Sequence, residues 1–241
     1  MSETPRAIEL SLVLPAYEEA ENLRMLLPKL REAAASLASS SEILVVDTET
    51  PHDDTPQVCQ ENGVRYIPRS GGSSYGDAIR TAVGNAAGRY VILMDADGSH
   101  DPGFLPQLWQ FRDQYDLVIA SRYVPGGKTD NPAILIVLSL VVNIVFRIVL
   151  NLNCHDVSNS FRLYHGDHFR ALKLQSSNFE IVEEILIKLT PPDRPLRIKE
   201  VPFTFQKRWK GKTKRNLMAF ALTYLATLYR LHRLKHAMKN A

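Results

Sequence analysis

Cysteine is scarce in this chain: Cys59 and Cys154 are the only two among 241 residues. Two thiols cannot build the disulfide framework of a small secreted domain, and neither stands in a CxxC or Cys/His spacing that would hold zinc. The opening residues, MSETPRAIEL, lack the apolar core of an export signal, which argues against secretion. With 12 glycines and 14 prolines the chain is neither collagen-like nor of low complexity. No internal repeat or long linker is visible. Dinucleotide and P-loop fingerprints are also missing. Gly71, Gly72 and Gly76 do not make G-x-G-x-x-G. Gly127-Lys128-Thr129 ends like a P-loop, but the first glycine of that motif would fall at Arg122. What remains is a globular composition, 45% hydrophobic and 23% charged, long enough for one large domain or two small ones.

The net charge of +3 hides an asymmetry. Residues 193–241 carry 13 Lys and Arg against Asp193 and Glu200, whereas residues 1–192 carry 16 against 24 acids. A basic end of this kind faces phosphate, nucleic acid or an anionic membrane, or is simply a solvated helix face. The stretch Lys207, Arg208, Lys210, Lys212, Lys214 and Arg215, with Trp209 among them, contains no acid. Such a loop can close over a diphosphate, with arginine supplying paired hydrogen bonds. Nucleic-acid binding is disfavoured because the same chain has an acidic half and an acid pair suited to a metal.

Apolar runs at 8–14, 43–46, 64–67, 90–94 and 117–120 predict five strands, with helices between them. Leu23, Leu26, Leu27, Leu30, Ala34 and Leu37 mark the first helix, in which Pro28 predicts a kink or a late start. Thr55-Pro56 predicts the start of a short helix closed by Asn62-Gly63, and residues 75–87 a helix ending at Gly88. Strands that are apolar throughout and alternate with helices imply an α/β fold, a mainly parallel sheet covered on both faces. Ligands gather outside the carboxyl ends of such strands. There stand Pro15-Ala16-Tyr17-Glu18-Glu19, then Asp47-Thr48, then Asp95-Ala96-Asp97. Two carboxylates two residues apart at a strand end can reach one hard divalent cation, whose other ligands are substrate phosphates. The glycine-rich 71–76 segment is either a phosphate cradle or a flexible turn.

Residues 133–150 are strongly apolar, interrupted by Ser139, Asn143 and Arg147 at four-residue spacing, hence on one helix face. An interfacial helix that presents this stripe to the protein is the preferred reading, ahead of a buried core helix and a true span. A second helical pattern at 216–238 is apolar at Leu217, Phe220, Tyr224, Leu225 and Leu228 and basic at Arg230, Arg233 and Lys235, a composition that suits a membrane surface. Glu183 and Glu184 can offer a general base, but a solvated helix face is the expected role.

In this order, LVLPAYEEAENL at 12–23, ILVVD at 43–47, MDADGSH at 94–100, SRY at 121–123, SFRLY at 160–164 and EVPFTFQKRWKGKTK at 200–214 resemble glycosyltransferase family 2, and most its dolichol-phosphate mannosyltransferase-like branch. The resemblance covers about residues 8–230. It implies a single GT-A domain, with a nucleotide-sugar half over about 8–125 and an acceptor- and membrane-facing half over about 126–241. It also implies transfer of a hexose of mannose or glucose type, with inversion, from a GDP- or UDP-linked sugar to a polyprenyl phosphate. The enzyme would be cytoplasmic, peripheral on the inner face of the membrane, and dependent on Mg2+ or Mn2+. By resemblance, Pro15, Tyr17 and Glu19 line the nucleotide, and Val46 and Asp47 lie near base and ribose. Asp95, Ala96 and Asp97 meet the donor, with Asp95 and Asp97 on the metal and Ser99 as a further oxygen. Asp97 and Arg122 serve catalysis, Arg122 facing the reacting phosphates or sugar. Arg208 and Lys214 grip the diphosphate. Ser139, Asn143 and Arg147, with Arg122, serve the acceptor.

Three departures from the family pattern stand out. Thr48 replaces a second acid, 48–54 (TETPHDD) replaces the usual turn, and Leu135 stands where an arginine is common, with Arg147 or Lys128 as substitutes. A saccharide acceptor, or a non-catalytic module that binds nucleotide sugar and membrane, are the alternatives.

Overall fold

The computed structural model describes residues 8–191, 194–210 and 217–239. Strands β1 (Leu10–Pro15), β2 (Ser41–Asp47), β3 (Arg65–Pro68), β4 (Tyr90–Leu93) and β5 (Leu117–Ser121) are the five expected from the sequence. Two further strands complete the main sheet, β7 (Arg162–His165) and β8 (Ile198–Pro202). A separate two-stranded ribbon pairs β6 (Lys128–Thr129) with β9 (Thr204–Phe205).

The main sheet runs β3-β2-β1-β4-β7-β5-β8. All its pairings are parallel except those of β7, which lies antiparallel between β4 and β5. Strand order reverses between β1 and β4, so the crevice at their carboxyl ends is the switch point where α/β sheets place ligands.

Side chains alternate across β1. Leu12 and Leu14 enter one core with α1 (Ala20–Leu37) and α4 (Leu105–Trp109). Val13 enters the other, with α3 (Tyr75–Asn85) and α7 (Ile181–Lys188). Because both faces are covered, every β1 residue is buried, which is why the strand reads as an unbroken apolar run. Its one polar residue is satisfied: the Ser11 hydroxyl donates to Glu42 (2.7 Å) and accepts from the Gly88 amide (2.8 Å).

Helix α1 starts at Ala20, well before Pro28, and runs through it, so the expected late start is not found. The proline ring removes a bond to the carbonyl of Arg24, and both residues are exposed on the helix's outer side, where water can take that bond's place. Helix α2 (Thr55–Glu61) begins as expected at Thr55-Pro56. Its neighbour Asp53 ties two helices: one carboxylate oxygen accepts from the Thr55 amide (3.0 Å), the other from the first amide of α1, that of Ala20 (2.8 Å).

Helix α5 (Ala133–Val149) has only Asn143 and Phe146 buried, and its apolar side, with Val137, Leu138, Val141, Ile144 and Ile148, faces outward. Seventeen helical residues extend about 26 Å, short of the roughly 30 Å hydrocarbon core of a bilayer. No described helix is long and apolar enough to cross a membrane. Helix α8 (Leu217–Lys239) packs against α5, with the Tyr224 and Phe146 rings 5.6 Å apart, and holds the end of α5 through Lys235, which donates to the carbonyls of Leu150 and Asn151.

Candidate active site

Three strand ends converge as the sequence predicts. After β1, Glu18 adopts φ +54°, a left-handed conformation uncommon for a residue with a side chain, and the turn leaves Tyr17 exposed while burying Glu19. After β4 come Asp95, Ala96 and Asp97, with Gly98 at φ +82° closing the turn. At the end of β2, Val46 and Asp47 are buried, and neither Asp47 oxygen makes a well-formed hydrogen bond among the described residues. Burial is the main cause that raises the Asp47 carboxyl above its ordinary value; Asp53 adds to it and Arg69 opposes it.

The two acids of the β4 turn are held differently. Asp95 accepts the Ser160 hydroxyl (2.9 Å) on Oδ1, while its amide donates to His100 Nδ1 (2.9 Å). Asp97 accepts both the amide (3.0 Å) and the hydroxyl (2.5 Å) of Ser99 on Oδ1. Its Oδ2 meets Arg208 Nη2 at 3.0 Å, and the same guanidinium reaches Glu19 at 3.3 Å. Burial works to raise the Asp97 carboxyl, but the Ser99 bonds and neighbouring positive charge hold it below its usual value. Glu19 lacks that compensation: burial, with Asp97 and Asp95 nearby, pushes it up to about 7 despite Asn22 and Arg208.

The basic segment, as far as residue 210, lies across this turn as a strap. Gln206 donates to the Ser99 carbonyl (3.2 Å) and Trp209 to the Asp97 carbonyl (3.0 Å), and the indole lies directly over Gly98. Lys29 Nζ stands over the indole, 4.9 Å from its ring centroid. Arg208 therefore stands at the acid pair, between Asp97 and Glu19. Lys214 lies outside the described residues.

Arg122 is bound tightly. Its Nε and Nη2 donate to the two oxygens of buried Asp156 (2.8 and 2.7 Å), and Nη2 also reaches Ser158 (2.9 Å). Ser158 accepts in turn from Asn143 Nδ2 (3.3 Å), whose Oδ1 takes the Val157 amide (2.6 Å). Ser139 is next along, its carbonyl accepting from Asn143 (2.8 Å). The polar face of α5 is thus wired to Arg122. Arg147 departs from the expected stripe: it is exposed, on the outward side of the helix. Lys128 is also exposed.

Two other expectations change. Glu183 and Glu184 are fully buried, not solvated. Glu184 accepts the amides of Gln175 and Ser176 and pairs with Lys188, while Glu183 lies in the core near Tyr224. The 71–76 loop is no open phosphate cradle either, because Asp77 caps α3 together with Ser74 and puts a carboxylate against Gly72, where an anion would have to sit.

Residues 11–173 match the family described as glycosyl transferase family 2. This chain belongs to glycosyl transferase family 2. The undecaprenyl-phosphate mannosyltransferase of Micrococcus luteus is 34% identical to it over 214 residues, which cover 84% of this chain and 85% of that protein. The dolichol-phosphate mannosyltransferase of Pyrococcus furiosus is 32% identical over 232 residues, 93% of this chain, and this chain spans 64% of that relative's length. Among solved structures, glucosyl-3-phosphoglycerate synthase from Mycobacterium tuberculosis, in complex with Mn2+, UDP and phosphoglyceric acid, superposes with a TM-score of 0.69 at 17% identity, covering 94% of this chain and 79% of that one. The likeness is one of fold and matches the GT-A architecture expected from the sequence. In this family 2 glycosyltransferase, sequence reasoning missed His100, Ser160 and Asp156, the groups that hold Asp95 and Arg122. Two of them lie within the motifs MDADGSH and SFRLY, which gave position without role.

Proposed function

We propose that the protein transfers a mannose-type hexose, with inversion, from a nucleotide diphosphate sugar to a polyprenyl phosphate at a membrane face. The observation that carries this reading is the acid pair of the β4 turn, roofed by the Arg208 strap and connected through Arg122, Ser158 and Asn143 to a helix whose opposite face is apolar and exposed. The names of the 32–34% identical relatives support the same acceptor class.

A divalent cation fits the donor set. Both side chains are hard carboxylates, and among the described residues Asp95 Oδ2 makes no hydrogen bond and stands 3.8 Å from His100 Nε2. Among the described residues, no group of three or more His, Cys, Asp or Glu can hold an ion unaided, so substrate diphosphate oxygens would complete the shell, as Mg2+ and Mn2+ accept. Asp95 and Asp97 would hold the ion, and what it supplies is neutralisation of the charge on the departing diphosphate.

The remaining work falls to side chains. Arg208 already sits beside Asp97 and needs only to turn from carboxylate to diphosphate oxygens. Tyr17, Pro15 and Glu19 on the β1 turn, and Val46 and Asp47 on β2, stand on the nucleotide side of the crevice. Arg122, fixed by Asp156, offers positive charge to the transferring group and the acceptor phosphate. Ser139 and Asn143 orient that side, and the exposed apolar face of α5 rests on the lipid surface. A phosphate monoester is largely ionised at neutral pH, with a second pKa near 6. It attacks the anomeric carbon without a protein base, consistent with Glu183 and Glu184 being sealed in the core.

The test is product formation from GDP- and UDP-sugars and a short polyprenyl phosphate with Mg2+ or Mn2+. A lipid-linked sugar labile to mild acid is expected. It should be lost with EDTA and in Asp97→Ala, while the variant melts like the parent. Full turnover by Asp97→Ala refutes the assignment, and donor binding without lipid product points to another acceptor.

A further inference from the structure

His100 is fully buried and pinned by aromatic rings. Phe161 stacks on it (4.7 Å, 13°), and Phe203 and Phe205 meet it edge-on at 5.9 and 5.5 Å. These rings come from the chain just before β7 and from Phe203 and Phe205, which lead into the strap, so the imidazole is the point where the approach to the strap, the β7 approach and the β4 turn meet. Its polar geometry is specific. Nδ1 faces the Asp95 amide at 2.9 Å and can only accept there, which puts the ring proton on Nε2, 3.8 Å from Asp95 Oδ2. Asp95 is therefore fixed at its main chain by His100 and at Oδ1 by Ser160.

We propose that His100 is a positioning residue for the metal-holding carboxylate: by accepting the Asp95 amide on Nδ1, it sets the backbone of the turn so that Oδ2 of Asp95 is presented to the ion. The inference rests on the reading that Asp95 and Asp97 hold a divalent cation. Groups behind a metal ligand typically change affinity by about ten- to a hundredfold when removed. A simple packing role makes a different prediction, and two substitutions separate them. His100→Phe keeps a flat ring among Phe161, Phe203 and Phe205 but has no acceptor. His100→Asn loses most of the ring contact but places its amide oxygen where Nδ1 stands.

Mn2+ is titrated into each purified protein, alone and with GDP or UDP, following the free-ion signal by electron paramagnetic resonance, and thermal melts are recorded on the same samples. The expected result is that His100→Phe melts at or above His100→Asn yet binds Mn2+ about ten- to a hundredfold more weakly than the parent, while His100→Asn binds within a few-fold of it. Opposite orders for stability and metal affinity support positioning. Unchanged Mn2+ affinity in His100→Phe, or affinities that simply follow the melting temperatures, overturn it. A parent protein that binds no Mn2+ under any of these conditions overturns the metal assignment itself and this inference with it, and is told apart by the parent titration alone.

Discussion

Gly98 is the position at which a single methyl group tests whether the strap closes the site. A Cβ built there stands 2.2 Å from Cδ2 and 2.6 Å from Cε2 and Cγ of Trp209, where ordinary contact begins near 3.4 Å. In Gly98→Ala the indole must retreat by about 1.2 Å. The hydrogen bond from the Trp209 backbone amide to the Asp97 carbonyl, at 3.0 Å, is then stretched or broken, a loss of about 1 kcal/mol. The turn itself holds φ at +82°, which adds about 1–2 kcal/mol for any residue with a Cβ. The sum is about 2–3 kcal/mol, or a fall of roughly 4–12 °C in Tm for a chain of this length. Arg208 moves with Trp209, so its grip on Asp97 and Glu19 weakens and the KM for donor should rise more than kcat falls. Thermal melts, intrinsic tryptophan emission and donor kinetics measure these effects. Adding Trp209→Ala removes the steric part and leaves the backbone part, so the double variant should be less destabilised than the two single losses added together. Gly98→Ala with parental Tm, emission and donor KM would refute the contact between strap and turn.

Two further outcomes follow from buried and exposed residues in the chain after β5. Burial pushes Glu183 from 4.5 up to about 8, despite nearby Arg162, so the folded state retains a proton that the unfolded chain releases. Stability from this group is full below about pH 4.5 and is lost as pH rises through 8, by at most about 5 kcal/mol; Glu183→Gln should flatten the pH dependence of unfolding across that window, and parallel curves for the two proteins would contradict it. On α5, Ile144 and Ile148 are 54% and 72% exposed, so replacing both with Glu should change stability by less than about 1 kcal/mol while releasing the protein from anionic vesicles in a flotation assay; undiminished flotation would remove that face from membrane contact.

The parts legible in the sequence are those governed by local patterns. Strands β1, β2, β4 and β5 are covered on both faces and so read as apolar runs, and the acids at their ends follow from the direction of the strands. Strand β7 hid because it reads RLYH, with Arg162 fully buried and its charge met by the carbonyls of Val157 and Val182 instead of by solvent. Strand β8, IKEVP, hid because Glu200 is spent on Ser121, His155 and the Asp156 amide, partners far away in the chain. The site divides in the same way. Asp95, Asp97 and Glu19 announced themselves as strand-end acids. The partners of Arg122, the seat of Trp209 and the box around His100 are long-range pairings, which no periodicity encodes. Asp53 belongs with them: the unusual 48–54 segment has a structural use, joining the starts of two helices.

The placement of β7 bears on how the chain reaches its native state. Strand β5 is fully buried, yet among the described residues its partners in the main sheet are β7 and β8, both of which follow it in the sequence. A chain emerging from the ribosome can join β3, β2, β1 and β4 as soon as they appear. It must then hold β5 unpaired until residues 162–165 arrive to enter, in the opposite direction, between it and β4. Residues 10–121 are therefore no separate folding unit. A cut near residue 125 leaves β4 with a raw edge and β5 with no strand beside it, an invitation to aggregation. Closure of the sheet waits for the chain segment that also brings Ser160 to Asp95, so this strand-end acid acquires its support in the same event that completes the fold.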